Sequence, residues 1–237
     1  MNFSGDPHIK EMRKSPEVKA AKEAIRKEHI HPERLMKTLF ANTDYLKWKV
    51  DAGELMTSLF DVASNMQSHD TGLELYSLFT KEECYDLWQL SNRGWYISFG
   101  PSPLTKGEMP SVEANLLENI LNTADTCVVR KDSYATLRFG HESCLLPLAC
   151  LLELDDCGYQ TDDLDKLDAI WRNYKIFPMA GNIQFVFYGK KGSDDILVKV
   201  LLNERETKLP VKSDVAPYYH WKDVELYYRN KLEALRK

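Results

Sequence analysis

The amino-acid sequence predicts an α/β fold with a large all-helical part and a smaller piece that has few strands. Three observations carry this reading. Up to about Arg130, apolar residues recur at three- and four-residue spacing, the period of one helix face. From about Asp132 the pattern changes, and "NIQFVFYG" and "ILVKVLLN" flank the polar "KKGSDD" as two β-rich runs around a turn. Finally "WKDVELYYRNKLEALRK" returns to helical spacing through Trp221, Val224, Tyr228, Leu232 and Leu235. The division is a helical domain over 1–130 and an α/β part over 131–237.

Each helix has its own signals. Ser15 is an N-cap residue, Pro16 suits the first helical position, and Val18, Ala21 and Ile25 form a stripe. "HIHPERLMKTLF" restarts a helix at Pro32, and "DAGELMTSLFDVASNMQ" places Leu55, Leu59, Val62 and Met66 on one face. Thr80 stands three residues before Glu83, a capping box at the head of "TKEECYDLWQL". "GPSPLTKGEMP" is a loop, and "SVEANLLENILNTADTCV" is an amphipathic helix capped by Ser111. "YATLRF", Tyr134–Phe139, reads as a strand that hands over to an apolar helix.

The 237 residues are 43% hydrophobic and 28% charged with net charge -5, a mixed composition that excludes the basic face of a nucleic-acid binder. No apolar run reaches the ~20 residues of a membrane span. The N-terminal residues carry no hydrophobic signal segment, so a cytoplasmic location is expected for the chain as it stands. Five cysteines without C-x-x-C spacing indicate neither a zinc site nor a complete disulfide framework. No cofactor and no metal site are expected. His29 and His31 in "HIHP" lie at a helix boundary and are read as non-ligating.

The chemistry concentrates at "YATLRFGHESCLLPLACLLEL". Proline is tolerated in the first turn of a helix, so Pro147 sets the helix start near Ser143. His141 and Glu142 then stand at its N-terminus, where free N–H groups and the macrodipole favour an anion. Gly140 lets the chain turn or lets a ligand approach the backbone. The combination can hold a phosphate oxygen and supply a proton. By spacing alone, a helix cap at Glu142 or Ser143 explains the same residues.

"LRFGHESCLLPLACLLEL" resembles the C-terminal motif of the histidine acid phosphatases, in the branch of the multiple inositol polyphosphate phosphatases and bacterial phytases. The downstream "IFPMAGNIQFVFYGKKGSDDILVKVLLNERETKLPV" and "PYYHWKDVELYY" resemble the end of bacterial members. "EHIHPERLMKTLF" and "FGPSPL" resemble the helical insertion over their pocket. The resemblance implies phosphomonoester hydrolysis through a phosphohistidine, with His141 contacting the phosphoryl group and Glu142 as proton donor to the leaving group. It implies a phosphorylated small molecule, such as an inositol polyphosphate, as ligand, and an exported location, in contrast to the missing signal. The family's Arg-His-Gly-x-Arg-x-Pro nucleophile motif does not occur in this sequence: His8, His29, His31, His69 and His220 all lie outside it. The chain is therefore expected to match only the C-terminal portion of such an enzyme and to lack the nucleophile strand. Its motif is His-Glu-Ser where the family has His-Asp or His-Ala-Glu, which puts Ser143 at the acid position in the second register.

Arg138 precedes His141 by three residues and is a candidate substrate contact, as are Arg93 and Lys106 around the "FGPSPL" loop. The chain alone is expected to be inactive. The alternatives are a phosphate-binding protein without turnover, or one half of a two-chain phosphatase, with self-association through strand edges as a further expectation.

Overall fold

The structure is a computed structural model that describes residues 7–44, 48–130 and 135–236. The chain forms two compact units, one of residues 19–94 and one of residues 1–18 with 95–237.

The unit of residues 19–94 is helical. It contains most of α2 (Pro16–His29), α3 (Glu33–Leu39), α4 (Ala52–Asn65) and the larger part of α5 (Lys81–Phe99). Its core is built on Leu35, Met36, Met56, Ala63, Phe79 and Leu87. The sequence signals for helix starts are met by real caps. The Asp51 carboxylate accepts from Glu54 N at 2.9 Å. Thr80 N–H donates to the Glu83 carboxylate at 2.9 Å, and Glu83 N–H donates back to Thr80 Oγ1 at 3.2 Å. Each such cap contributes about 1 kcal/mol. The stripe of α4 differs from the expected one: Met56 and Ala63 are buried while Val62 is exposed. Leu55 and Leu59 pack only partly.

The other unit holds α1 (Pro7–Arg13), α6 (Ala114–Arg130), α7 (Glu142–Leu151), the one-turn α8 (Leu167–Ile170) and α9 (Asn173–Ile176), and α10 (Trp221–Leu235). Its sheet is antiparallel and centred on β2 (Ile196–Leu202). β1 (Ile183–Gly189) pairs along one side in register Ile183↔Leu202 to Gly189↔Ile196, the hairpin expected around "KKGSDD". The two-residue strands β3 (Arg205–Glu206) and β4 (Tyr219–His220) pair along the other side. Both were missed because two residues carry no period. Val198 and Val200 of β2 are fully buried, with Tyr228, Trp221, Leu146 and Leu152 in the same core. α10 docks on α6 through Trp221 Nε1–H donating to Asp125 at 3.1 Å and the Arg229–Asp125 ion pair at 2.6 Å. No described helix is long and apolar enough to cross a membrane.

Two expectations need correction. The stretch 135–139 forms no strand: the residues are exposed and join no ladder, and Leu137 and Phe139 are 74% and 93% exposed. Tyr134 lies outside the described residues. A β-rich stretch becomes a strand only when a partner supplies the ladder, and no described residue does so here. Ser111 is not the cap of α6. It lies inside a 3₁₀ turn, Met109–Glu113, and its hydroxyl donates to the Glu108 carbonyl at 2.6 Å.

Candidate functional site

Helix α7 begins at Glu142, with His141 as N-cap at φ -104°, ψ 167°. The His141 carbonyl opens the helix by accepting from Cys144 N at 2.9 Å and Leu145 N at 3.1 Å. Pro147 is therefore the sixth helical residue, past the first turn in which its position was expected to fix the start. The helix tolerates it at the expense of one backbone bond, because residues 146–151 are all buried and packing holds the geometry.

The far end of α7 is fixed by α10. Tyr228 Oη donates to the Leu152 carbonyl at 2.8 Å, and Lys231 Nζ donates to the Leu151 carbonyl at 2.7 Å. Lys231 also pairs with Glu153 at 3.0 Å, and Tyr227 Oη donates to the same carboxylate at 2.6 Å. The carbonyls that a helix end normally leaves orphaned are thus satisfied by side chains. Leu145 packs beside the 178–181 turn, where Ala180 takes a left-handed φ of 59° and a Cβ on Gly181 would lie 2.8 Å from Leu145 Cδ2. Asn203 ties that turn down, donating to the Lys175 and Ile176 carbonyls at 2.9 and 3.1 Å and accepting from Asn182 N at 3.0 Å.

At the near end, His141 and Glu142 are exposed and make no hydrogen bond or ion pair to any described side chain. The N–H groups of Glu142 and Ser143 have no intrahelical acceptor and, with the macrodipole, offer an anion site. Gly140 has no left-handed φ, and a Cβ there would meet only Cys144, at 3.7 Å. A sharp turn is therefore not what its glycine provides.

The other candidates are placed differently. Arg138 turns to α6: its Nη2 donates to Asn119 Oδ1 at 2.8 Å and Thr123 Oγ1 at 2.7 Å, and its Nε donates to Asn119 Oδ1 at 3.1 Å. Lys106 ends the 3₁₀ turn Pro103–Thr105 in a left-handed conformation, φ 53°, with its side chain exposed. Arg93 belongs to the 19–94 unit, where its buried guanidinium pairs with Glu28 at 3.1 Å. His29 pairs with Asp86 at 3.2 Å, and His31 bonds the Glu28 carbonyl at 2.8 Å. Among the described residues no group of three His, Cys, Asp or Glu side chains could hold a metal ion.

Sequence reasoning missed Glu113. It is fully buried, neither carboxyl oxygen has a hydrogen-bond partner, and burial pushes its carboxyl up to about 8. The signal was present, because Met109, Glu113, Leu117 and Leu121 recur every fourth residue, the spacing of a single buried stripe. An acid near a helix start reads instead as a dipole partner, which concealed it.

A profile of the histidine phosphatase superfamily (branch 2) matches residues 1–203. Three solved structures of the multiple inositol polyphosphate phosphatase of Bifidobacterium longum share the fold. The complex with phosphate is 20% identical with a TM-score of 0.66, covering 98% of this chain and 57% of that one. The apo form is 20% identical with a TM-score of 0.65, over 94% and 56%. The complex with inositol hexasulfate is 20% identical with a TM-score of 0.61, over 94% and 55%. The chain thus spans little more than half the length of these neighbours. No curated protein matches it. With a family profile running through the helical part, the junction at His141 and on to the end of β2, the chain belongs to branch 2 of the histidine phosphatase superfamily and has an α/β fold with a large helical part.

Proposed function

We propose that the α7 N-terminus is the phosphate-contacting half of a phosphomonoesterase site, acting on phosphorylated small molecules of the inositol polyphosphate class. The observation that carries this reading is the exposed His141–Glu142 pair, whose side chains have no partner among the described residues, at the head of a ten-residue helix in a chain of this superfamily. Phosphoryl oxygens take the free N–H groups of the first turn and the His141 ring. Glu142, as the acid, gives its proton to the bridging oxygen while the P–O bond breaks, so the alcohol leaves neutral. The neighbours' complexes with phosphate and inositol hexasulfate support an anionic ligand of this kind.

The nucleophile that would accept the phosphoryl group is not in this sequence, which has no Arg-His-Gly motif. The chain by itself is accordingly expected to bind phosphate esters without turning them over, and activity requires a second segment that supplies the nucleophile. A binding protein without turnover is the second reading, favoured by the same missing motif. Calorimetric titration with inositol hexasulfate and with inorganic phosphate tests the site: binding that falls at least tenfold in His141→Ala supports it, and binding unchanged by that substitution overturns it. Hydrolysis of p-nitrophenyl phosphate by the purified chain, abolished by His141→Ala, would overturn the claim that a second segment is needed.

A further inference from the structure

Glu113 ends the 3₁₀ turn that packs against α7, and the described group that favours its ionisation is the Cys144 thiol, a weak donor that does not offset its burial. A carboxylate buried without a strong donor is unfavourable, so the group is held as the neutral acid, and burial raises its titration to about 8. Among the described residues the titratable group that faces it is the Cys144 thiol of α7. Burial, and with it the Glu113 carboxyl, push that thiol up as well.

Cys144 is joined to the site by two contacts. Its N–H donates to the His141 carbonyl at 2.9 Å. Its side chain covers Gly140, where a Cβ would lie 3.7 Å from Cys144 Cβ and 3.9 Å from Sγ. Any shift of Cys144 therefore displaces the residues that present the His141 ring and the Glu142 carboxyl.

We propose that Glu113 is a positioning residue for the His141–Glu142 pair: the neutral acid seats Cys144, and ionisation of Glu113 moves the first turn of α7. The neutral carboxyl packs against the thiol at no electrostatic penalty. The carboxylate needs a donor or water, and the side chain between it and the α7 N-terminus is the thiol. The proposal rests on the reading of this helix end as the phosphate site, but its test needs neither ligand nor turnover.

The experiment follows backbone amides 140–144 by NMR of the full chain from pH 6 to 9.5, together with the ¹³C carboxyl signal of Glu113. His141→Gln is run in parallel to take the imidazole out of the measured region. The expected result is a shared midpoint near 8 at Glu113 and at Gly140, His141 and Cys144. In Glu113→Gln the amides should stay at their low-pH positions throughout. In Cys144→Ala, Glu113 should still titrate while amides 140–141 no longer respond. A Glu113 carboxyl that titrates in the ordinary range would overturn the proposal, and the wild-type protein alone decides this if the variants fold poorly. So would amides 140–144 that ignore the Glu113 midpoint, or that follow it unchanged in Cys144→Ala. Failure of phosphate binding, by contrast, would sink the reading of the site and leave these titrations as they are.

Discussion

Arg138 grips Asn119 through Nε at 3.1 Å and Nη2 at 2.8 Å to one side-chain amide oxygen, and through Nη2 at 3.4 Å to its backbone carbonyl. That clamp, with Thr123 at 2.7 Å, makes α6 the anchor of the segment leading into His141. Arg138 thus has a structural task that an isolated strand arginine would not reveal. Arg138→Ala is expected to cost about 1 kcal/mol or less, because the contacts are exposed. Its effect should be local: faster hydrogen exchange over residues 135–140, with the α10 amides unaffected. A global loss of protection would refute the local role.

Glu113 makes the stability of its unit depend on pH. Its folded value is raised, so the folded state holds a proton that the unfolded chain releases. Stability from this group is complete below the ordinary carboxylate range and is lost as pH rises from there to about 8. The slope approaches about 1.4 kcal/mol per pH unit for one proton. Urea midpoints measured from pH 4 to 9 should show that slope in the wild type and lose it in Glu113→Gln.

His220 works in the same direction, closer to neutrality. Its ring nitrogens bridge Asp195 at 2.9 Å and Asp214 at 3.2 Å, and these carboxylates raise its titration. The stabilisation is complete below the unfolded value and fades as pH rises through the raised folded one. His220→Gln should remove a small fall in thermal midpoint as pH rises above about 6.5. An unchanged slope would show that the clasp is not formed in solution.

Gly181→Ala tests the turn beside α7. The new Cβ would lie 2.8 Å from Leu145 Cδ2 and 3.0 Å from the Pro178 carbonyl. Leu145 can rotate but the carbonyl cannot, so a cost of about 1–3 kcal/mol is expected. Denaturation by urea reads it directly. Tyr228→Phe should cost about 1–3 kcal/mol, since the Leu152 carbonyl is then left buried without its donor.

The sequence showed most where a residue's own neighbours decide its structure. The Thr80–Glu83 box and the β1–β2 hairpin follow from spacing within a few residues and are found as expected. Residues 135–139 look like a strand for the same local reasons, yet pairing is a property of two segments, and the described residues offer no second one. Near His141, the helix start was legible to within one residue from the apolar run that follows, although Pro147 lies past the first turn and Gly140 makes no sharp turn. The engagement of Arg138 with α6 was not, since side-chain partners 15 and 19 residues away leave no periodic trace. Glu113 was legible only through its four-residue spacing from Leu117 and Leu121, and a charged residue on an apolar stripe is easily taken for a solvated one.

The two bonds from α10 to the end of α7 set an order of events in synthesis. Tyr228 and Lys231 lie 76 and 80 residues beyond the carbonyls they hold. A ribosome adds residues one at a time, so α7 emerges well before its C-terminal end can be fastened. During that interval α7 can already pack on the 109–113 turn, α6 and α9, but the carbonyls at its C-terminal end lack these two donors. The Leu151 and Leu152 carbonyls gain their donors only after residues 221–235 have cleared the exit tunnel. A ribosome stalled before Tyr228 should therefore hold a nascent chain in which α7 is open to proteolysis, and one stalled well past it should not.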